Sequence, residues 1–172
     1  MKKDFIAPIL ALAVICAVIA GALAAGNAVT LPIIQSASDA RALSAMERVI
    51  PNADAFVQLE TDNLPKTIAE AYITSNNTGY IFIVSVNGYG GEIRLICAIG
   101  TDGRIIKTET LAETETKGIA TPVFEREHLY IGMDSSLNGI DAVSGATITS
   151  NAYKNGILDA FEAYEIIKGA QA

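Results

Sequence analysis

Tyr80-Ile81-Phe82-Ile83-Val84-Ser85-Val86 decides the fold. Every residue but Ser85 is aromatic or β-branched, a composition that favours a pleated strand over a helix. Asn87-Gly88-Tyr89-Gly90-Gly91 breaks the run, and Glu92 to Ile99 (EIRLICAI) follows as a second strand. Gly100-Thr101-Asp102-Gly103 is a turn signal, and Arg104 to Leu111 (RIIKTETL) is a third strand. Consecutive strands joined by short turns pair with their neighbours, so an antiparallel meander is expected. In that frame Gly88, Gly90 and Gly91 serve the backbone geometry of a turn.

Towards the N-terminus, Phe56 to Ala71 shows only a short strand and a polar loop, and Pro51-Asn52-Ala53-Asp54 is turn chemistry. Asp39 to Val49 reads as a short helix with Ala42, Leu43, Ala45, Met46 and Val49 on one apolar side. Ser38 or Asp39 would cap it and Pro51 would help end it. Towards the C-terminus, Glu113 to Ala120 is a polar loop, most simply a solvated acidic one, and Pro122 to Gly132 reads as a short helix. Asp141-Ala142-Val143-Ser144-Gly145-Ala146-Thr147 is a small-residue turn. Beyond it, Tyr153, Ile157, Ala160, Phe161, Tyr164 and Ile167 recur near helical spacing, with Thr149 or Ser150 as the expected N-cap. The fold class is therefore α+β, a mostly antiparallel sheet packed with helices, with one N-terminal transmembrane helix.

That last element comes from composition. The chain has 172 residues, of which 51% are apolar, and the excess sits at the front. Phe5 to Ala25 contains 21 residues without a charge, matching the roughly 20 needed to cross a bilayer. Lys2 and Lys3 precede it and the next basic residue is Arg41. This asymmetry puts the N-terminus in the cytoplasm and the bulk of the chain outside, and the expected location is the cell (inner) membrane, single-pass. The expected plan is a cytoplasmic N-terminus at 1–4, the transmembrane helix at 5–25, a connector at 26–38 and an extracytoplasmic domain at 39–172. A cleaved signal peptide is the competing reading, with Ala22-Leu23-Ala24 as its cleavage site, although the apolar run is long for one.

The formal charge of −7 argues against a nucleic-acid partner, since phosphate backbones need basic patches. Cys16 falls in the apolar segment and Cys97 in a strand, so no pairing and no metal-ligand spacing is expected. His128 is the single histidine and reads as an ordinary surface or partly buried residue.

The turn before the closing helix carries the chemistry. Free N–H groups and the positive end of the helix dipole converge at such a point, which suits an anion. Gly145 and Ala146 let a phosphate approach the backbone, Ser144 offers a further hydrogen bond, and Thr147 presents a hydroxyl able to carry a phosphoryl group covalently. Asp141, itself anionic, would organise the turn through backbone hydrogen bonds or serve as a recognition element.

Along the chain stand, in order, an N-terminal anchor, Gly88-Tyr89-Gly90-Gly91, Glu115-Thr116-Lys117-Gly118, and Asp141-x-x-Ser144-Gly145-Ala146-Thr147 ahead of the last helix. This constellation resembles the FMN-binding domain family, specifically the G subunit of the Rnf ion-translocating electron-transport complex. It is also similar to the C subunit of the sodium-pumping NADH:quinone reductase. The resemblance implies an FMN-binding domain at 39–172 and FMN joined to Thr147 through the flavin's phosphate. It implies that a separate Mg-dependent flavin transferase installs the cofactor from FAD. Thr147 would then be an attachment point, with no catalytic residue and no resident metal in the chain. Glu115, Thr116 and Gly118 match a loop that lies near the flavin in the family. Here Lys117 replaces the usual proline, which loosens the loop and adds a positive charge favouring anionic reduced flavin. Ala120 stands where glycine is common.

By resemblance, the function is that of an electron-transfer subunit in a membrane complex coupling ferredoxin and NAD redox chemistry to ion translocation. Its partners would be the other membrane subunits, the flavin transferase during maturation, and the lipid bilayer. With no nicotinamide fingerprint and no cluster-binding cysteines, the chain would not run the overall reaction alone. Two alternatives remain at this point. One is a standalone membrane-anchored extracytoplasmic flavin relay or sensor. The other is an adhesion or scaffold domain in which Ser144 to Thr147 is only a helix cap.

Overall fold

The computed structural model describes residues 3–171. Lys2, one of the two basic residues used to orient the anchor, lies outside them. The chain forms two compact units, Met1–Ala40 and Arg41–Ala172. Its first element is helix α1, Lys3–Val49.

In the first unit, Pro8–Ile34 is long and apolar enough to cross a membrane, and none of it is buried. This stretch extends past Ala25, and helical backbone occupies the whole of 26–38, where sequence suggested a connector. Within it polar side chains bond to their own helix. Thr30 Oγ1 donates to the Gly26 carbonyl, and Ser36 Oγ donates to the Ile33 carbonyl at 3.0 Å. The short helix expected at Asp39–Val49 is accordingly the end of α1, with no separate start. The side chains of Ser38 and Asp39, its expected caps, lie outside those described.

The second unit is built on a five-stranded antiparallel sheet in the order β1-β2-β3-β4-β5. The strands are β1 Phe56–Leu59, β2 Ile68–Thr74, β3 Gly79–Asn87, β4 Glu92–Gly100 and β5 Ile105–Glu113. The expected meander is β3-β4-β5. Strand β2 completes the part of the chain that showed little pattern. Tyr80 pairs with Ile99, Phe82 with Cys97 and Val84 with Leu95.

The central strands are buried on both faces, which is why their sequences run apolar without alternating. On one face Tyr80, Phe82, Val84, Leu95 and Cys97 join Tyr153, Ile157, Ala160, Phe161 and Tyr164. Those last five belong to α3, Thr147–Gln171. On the other face Ile81, Ile83, Ile96 and Ala98 meet Ala42, Ala45, Met46 and Val49, the last turns of α1. Each fully buried Ile or Phe contributes about 1.5–3 kcal/mol, so this two-sided burial dominates the unit's stability.

Between β5 and α3 the expected helix at Pro122–Gly132 is two short pieces, α2 Thr121–Phe124 and a 3-10 turn Glu127–Tyr130. Glu127 fastens that turn to the sheet. Its Oε1 accepts from the Thr110 N–H at 2.6 Å, from Thr110 Oγ1 at 2.5 Å and from the Tyr153 hydroxyl at 3.1 Å. Burial pushes the Glu127 carboxyl above its ordinary range, against the opposing pull of these donors. Cys97 is fully buried, and burial pushes its thiol up to about 12.

Candidate functional site

The β3–β4 turn and the loop after β5 are locked together. The Gly88 N–H donates to the Gly91 carbonyl at 2.8 Å, so the turn expected from the glycines is present. The glycines have a second reason. A Cβ on Gly88 would lie 1.8 Å from Glu115 Oε1, and one on Gly90 would lie 2.9 Å from both Glu115 Cα and the Thr114 carbonyl oxygen. The turn is therefore free of side chains where Glu115 enters it. The Gly90 N–H donates to Glu115 Oε2 at 3.0 Å, while Oε1 is buried with no hydrogen-bond partner among the described residues. An unpaired buried acceptor is unfavourable unless a donor reaches it.

Glu115 and Thr116 line one wall of a cleft of about 430 Å³, with Tyr89, Ile119 and Ala120 beside them. Gly145, Ala146, Thr147, Ile148 and Thr149 complete the lining. The size falls in the range of cofactor and ligand pockets. Ala120 adopts φ −86° and ψ −21°, ordinary right-handed backbone, so alanine is accommodated at this position without strain.

The loop ahead of α3 is held by a hydroxyl. Ser150 Oγ accepts from the Val143 N–H at 3.0 Å and donates to the Ala146 carbonyl at 2.9 Å. Gly145 sits at φ +83°, left-handed backbone that glycine adopts readily. The helix begins at Thr147, earlier than the Thr149 or Ser150 cap expected from sequence. Ser150 bonds back to Ala146 from inside the first turn instead of capping it. Thr147 and Ile148 are exposed, whereas Thr149 and Ser150 are buried.

Of the residues singled out from sequence, Thr147, Gly145, Ala146, Glu115 and Thr116 share this cleft. Asp141 is exposed and lines a neighbouring pocket of about 200 Å³ together with Arg126, Tyr130 and Lys154. Ser144 and Gly118 are exposed and outside both linings; the Gly118 N–H donates to Thr121 Oγ1 at 3.0 Å. Sequence reasoning missed Tyr89, Ile119 and Ile148 as cleft residues and Ser150 as the loop's fastener. Tyr89 carried a signal, standing between the glycines of a turn.

This geometry fits a phosphate-bearing aromatic cofactor. The exposed Thr147 hydroxyl stands at a helix start suited to phosphate. The apolar walls suit a flat ring system.

Comparison with known proteins agrees. Residues 88–162 match the family model described as FMN-binding domain. The chain is 28% identical to the G subunit of the ion-translocating oxidoreductase complex of Stutzerimonas stutzeri, over 89% of this chain and 78% of that protein. It is 28% identical to the G subunit of the Na(+)-translocating ferredoxin:NAD(+) oxidoreductase complex of Acetobacterium woodii, over 91% of this chain and 89% of that one. It is 27% identical to the G subunit of the proton-translocating ferredoxin:NAD(+) oxidoreductase complex of Clostridium ljungdahlii, over 73% of each. Residues 88–162 of the chain are thus similar to an FMN-binding domain, and most of its length is similar to the G subunits of ion-translocating oxidoreductase complexes.

Proposed function

We propose that this chain is the membrane-anchored electron-transfer subunit of a multi-subunit oxidoreductase that couples ferredoxin and NAD chemistry to ion translocation. Its FMN is attached through phosphate to Thr147. The observation that carries the attachment is exposure. Thr147 offers a hydroxyl to a modifying enzyme at the mouth of the cleft, while the Thr149 and Ser150 hydroxyls are buried behind it. Bound FMN supplies one- and two-electron redox chemistry that no side chain here provides. The protein's part is to hold the phosphate at the start of α3 and the ring system between the two loops. The flavin transferase meets Ser144, Gly145 and Thr147 as exposed residues, with Asp141 as a recognition element at their edge.

The apolar helix anchors the chain with its N-terminus in the cytoplasm and the flavin domain outside. The other subunits of the complex are its partners, as the relatives' names indicate for those proteins.

Co-expression with a flavin transferase followed by denaturing electrophoresis tests the attachment. Wild type, Ser144→Ala and Thr149→Ala should carry in-gel flavin fluorescence and Thr147→Ala none. Absent fluorescence in wild type, or FMN mapped to Thr149 by peptide mass spectrometry, overturns the assignment. Protease added outside spheroplasts should digest the C-terminal domain, and full protection would reverse the orientation.

A further inference from the structure

The chain has six tyrosines. Five are committed within the fold. Tyr72 donates to Glu70, Tyr80 packs edge-on to Tyr164, Tyr153 packs between Phe124 and Tyr130, and the Tyr164 hydroxyl donates to the Thr101 carbonyl. Tyr89 differs from all of them. It is 75% exposed and makes no hydrogen bond or ring contact among the described residues. Its backbone, in contrast, is held firmly. The turn around it closes through Gly88 and Gly91 and is tied to Glu115 through Gly90. A large aromatic ring on a fixed stem, left in solvent at the edge of a cleft, has no folding role that explains it.

Two other exposed apolar side chains, Ile119 at 55% and Ile148 at 57%, line the same cleft. They come from the loop after β5 and from the first turn of α3, so three separate segments turn apolar groups towards one space that contains Thr147. Clustered exposed apolar groups mark a surface meant to be covered. A cofactor tethered at Thr147 places its ring system within this cleft.

We propose that Tyr89 is the stacking surface for the isoalloxazine ring of the flavin held at Thr147, with Ile119 and Ile148 as its apolar walls. This inference rests on the reading of the cleft as the FMN site. Offset stacking of two flat rings is the favoured geometry for such a pair. An electron-rich phenol stacked on a flavin quenches the flavin's fluorescence, so Tyr89 sets an optical signature distinct from attachment. As a positioning residue, it holds the ring's orientation and takes no part in the linkage.

The test uses the full-length, flavin-loaded protein in detergent. Flavin emission is compared between native and denatured samples for wild type, Tyr89→Leu and Tyr89→Trp, with loading measured separately by in-gel fluorescence. Because Tyr89 is exposed and makes no hydrogen bond or ring contact among the described residues, both variants should fold as wild type does. Wild type should brighten at least threefold on denaturation. Tyr89→Leu should already be at least twofold brighter than wild type when native, and Tyr89→Trp dimmer. Equal native emission from all three at equal loading overturns the stacking role and leaves the attachment standing. Loss of loading in Tyr89→Leu with full loading in Tyr89→Trp supports the role, because only an aromatic ring would then seat the flavin. Loss in both overturns it in favour of a role in recognition by the transferase. Wild type with no covalent flavin overturns the FMN reading, and this inference with it.

Discussion

Gly88 and Glu115 share one volume: a methyl group on Gly88 would stand 1.8 Å from Glu115 Oε1. Two motifs well separated in sequence are thus halves of one joint, and the glycine is the socket. The clash at Gly88 is with the far end of a movable side chain, whereas at Gly90 it is with the Glu115 Cα and the Thr114 carbonyl oxygen, both 2.9 Å away. Gly90→Ala should therefore be the costlier change, about 1–3 kcal/mol by urea unfolding. Gly88→Ala should chiefly evict Glu115 from the turn. Adding Glu115→Ala should recover stability in the Gly88→Ala background and not in the Gly90→Ala one. Equal recovery in both would refute the socket geometry.

Ser150 predicts a separation of stability from site choice. Ser150→Ala removes the acceptor of the Val143 N–H and the donor to the Ala146 carbonyl. A stability loss of about 1–2 kcal/mol is expected. Flavin attachment should slow, yet peptide mapping should still find it on Thr147. Unchanged attachment kinetics would mean that the loop holds its shape without the hydroxyl.

Glu127 predicts a pH dependence whose sign follows from burial. Its folded pKa is raised above the ordinary 4.5, so the folded chain keeps this proton to higher pH than the unfolded chain does. The native state then binds more protons than the unfolded state across that window. This residue's contribution to stability falls as pH rises from about 4.5 through the folded value. Glu127→Gln retains an oxygen for Thr110 and Tyr153 and cannot ionise. Its advantage over wild type should grow with pH across the window, measured by urea unfolding at successive pH values. Parallel curves would contradict this. Glu109 acts on the other side of 4.5, because its hydrogen bond with Arg48 lowers its pKa. That contribution is lost as pH falls.

Cys97 should be chemically silent in the folded protein. A thiol raised from 9.0 to about 12 by burial has a thiolate fraction lower by roughly a thousandfold near neutral pH. In a Cys16→Ala background, iodoacetamide should label Cys97 only at the rate at which the sheet opens. Labelling at the rate of a free thiol would show that the two-sided core is looser than described.

How much of this was legible in sequence depends on the range of the cause. Strands β3 to β5 were legible because Tyr80 to Val84 and its neighbours are intrinsically strand-like and punctuated by turn residues. Strand β2 was not, because Ile68-Ala69-Glu70-Ala71 has weak strand preference and is recruited by pairing with β3. The continuity of α1 was hidden by Pro32 and by polar residues whose hydroxyls bond back to their own helix. The start of α3 was displaced by Ser150, which reads as a cap and acts as an internal fastener. In the site, the motif glycines were visible while their purpose was not, since no local pattern shows that Gly88 makes room for Glu115. Likewise Tyr89 acquires meaning only when Thr147 is found to line the same cleft.

The hairpin of β3 and β4 has a mechanical consequence. Its strands pair without interruption from Gly79–Gly100 to Asn87–Glu92, with one face packed as far as Val86 and Ile93 and the other around Ile81, Ile83, Ile96 and Ala98. The turn at its tip, closed by the Gly88–Gly91 bond and tied to Glu115, is thus braced by the paired strands, in contrast to an ordinary surface loop. Electron tunnelling decays steeply with distance, so a flavin tethered at Thr147 and stacked on Tyr89, as proposed, would have its ring steadied against a fixed surface.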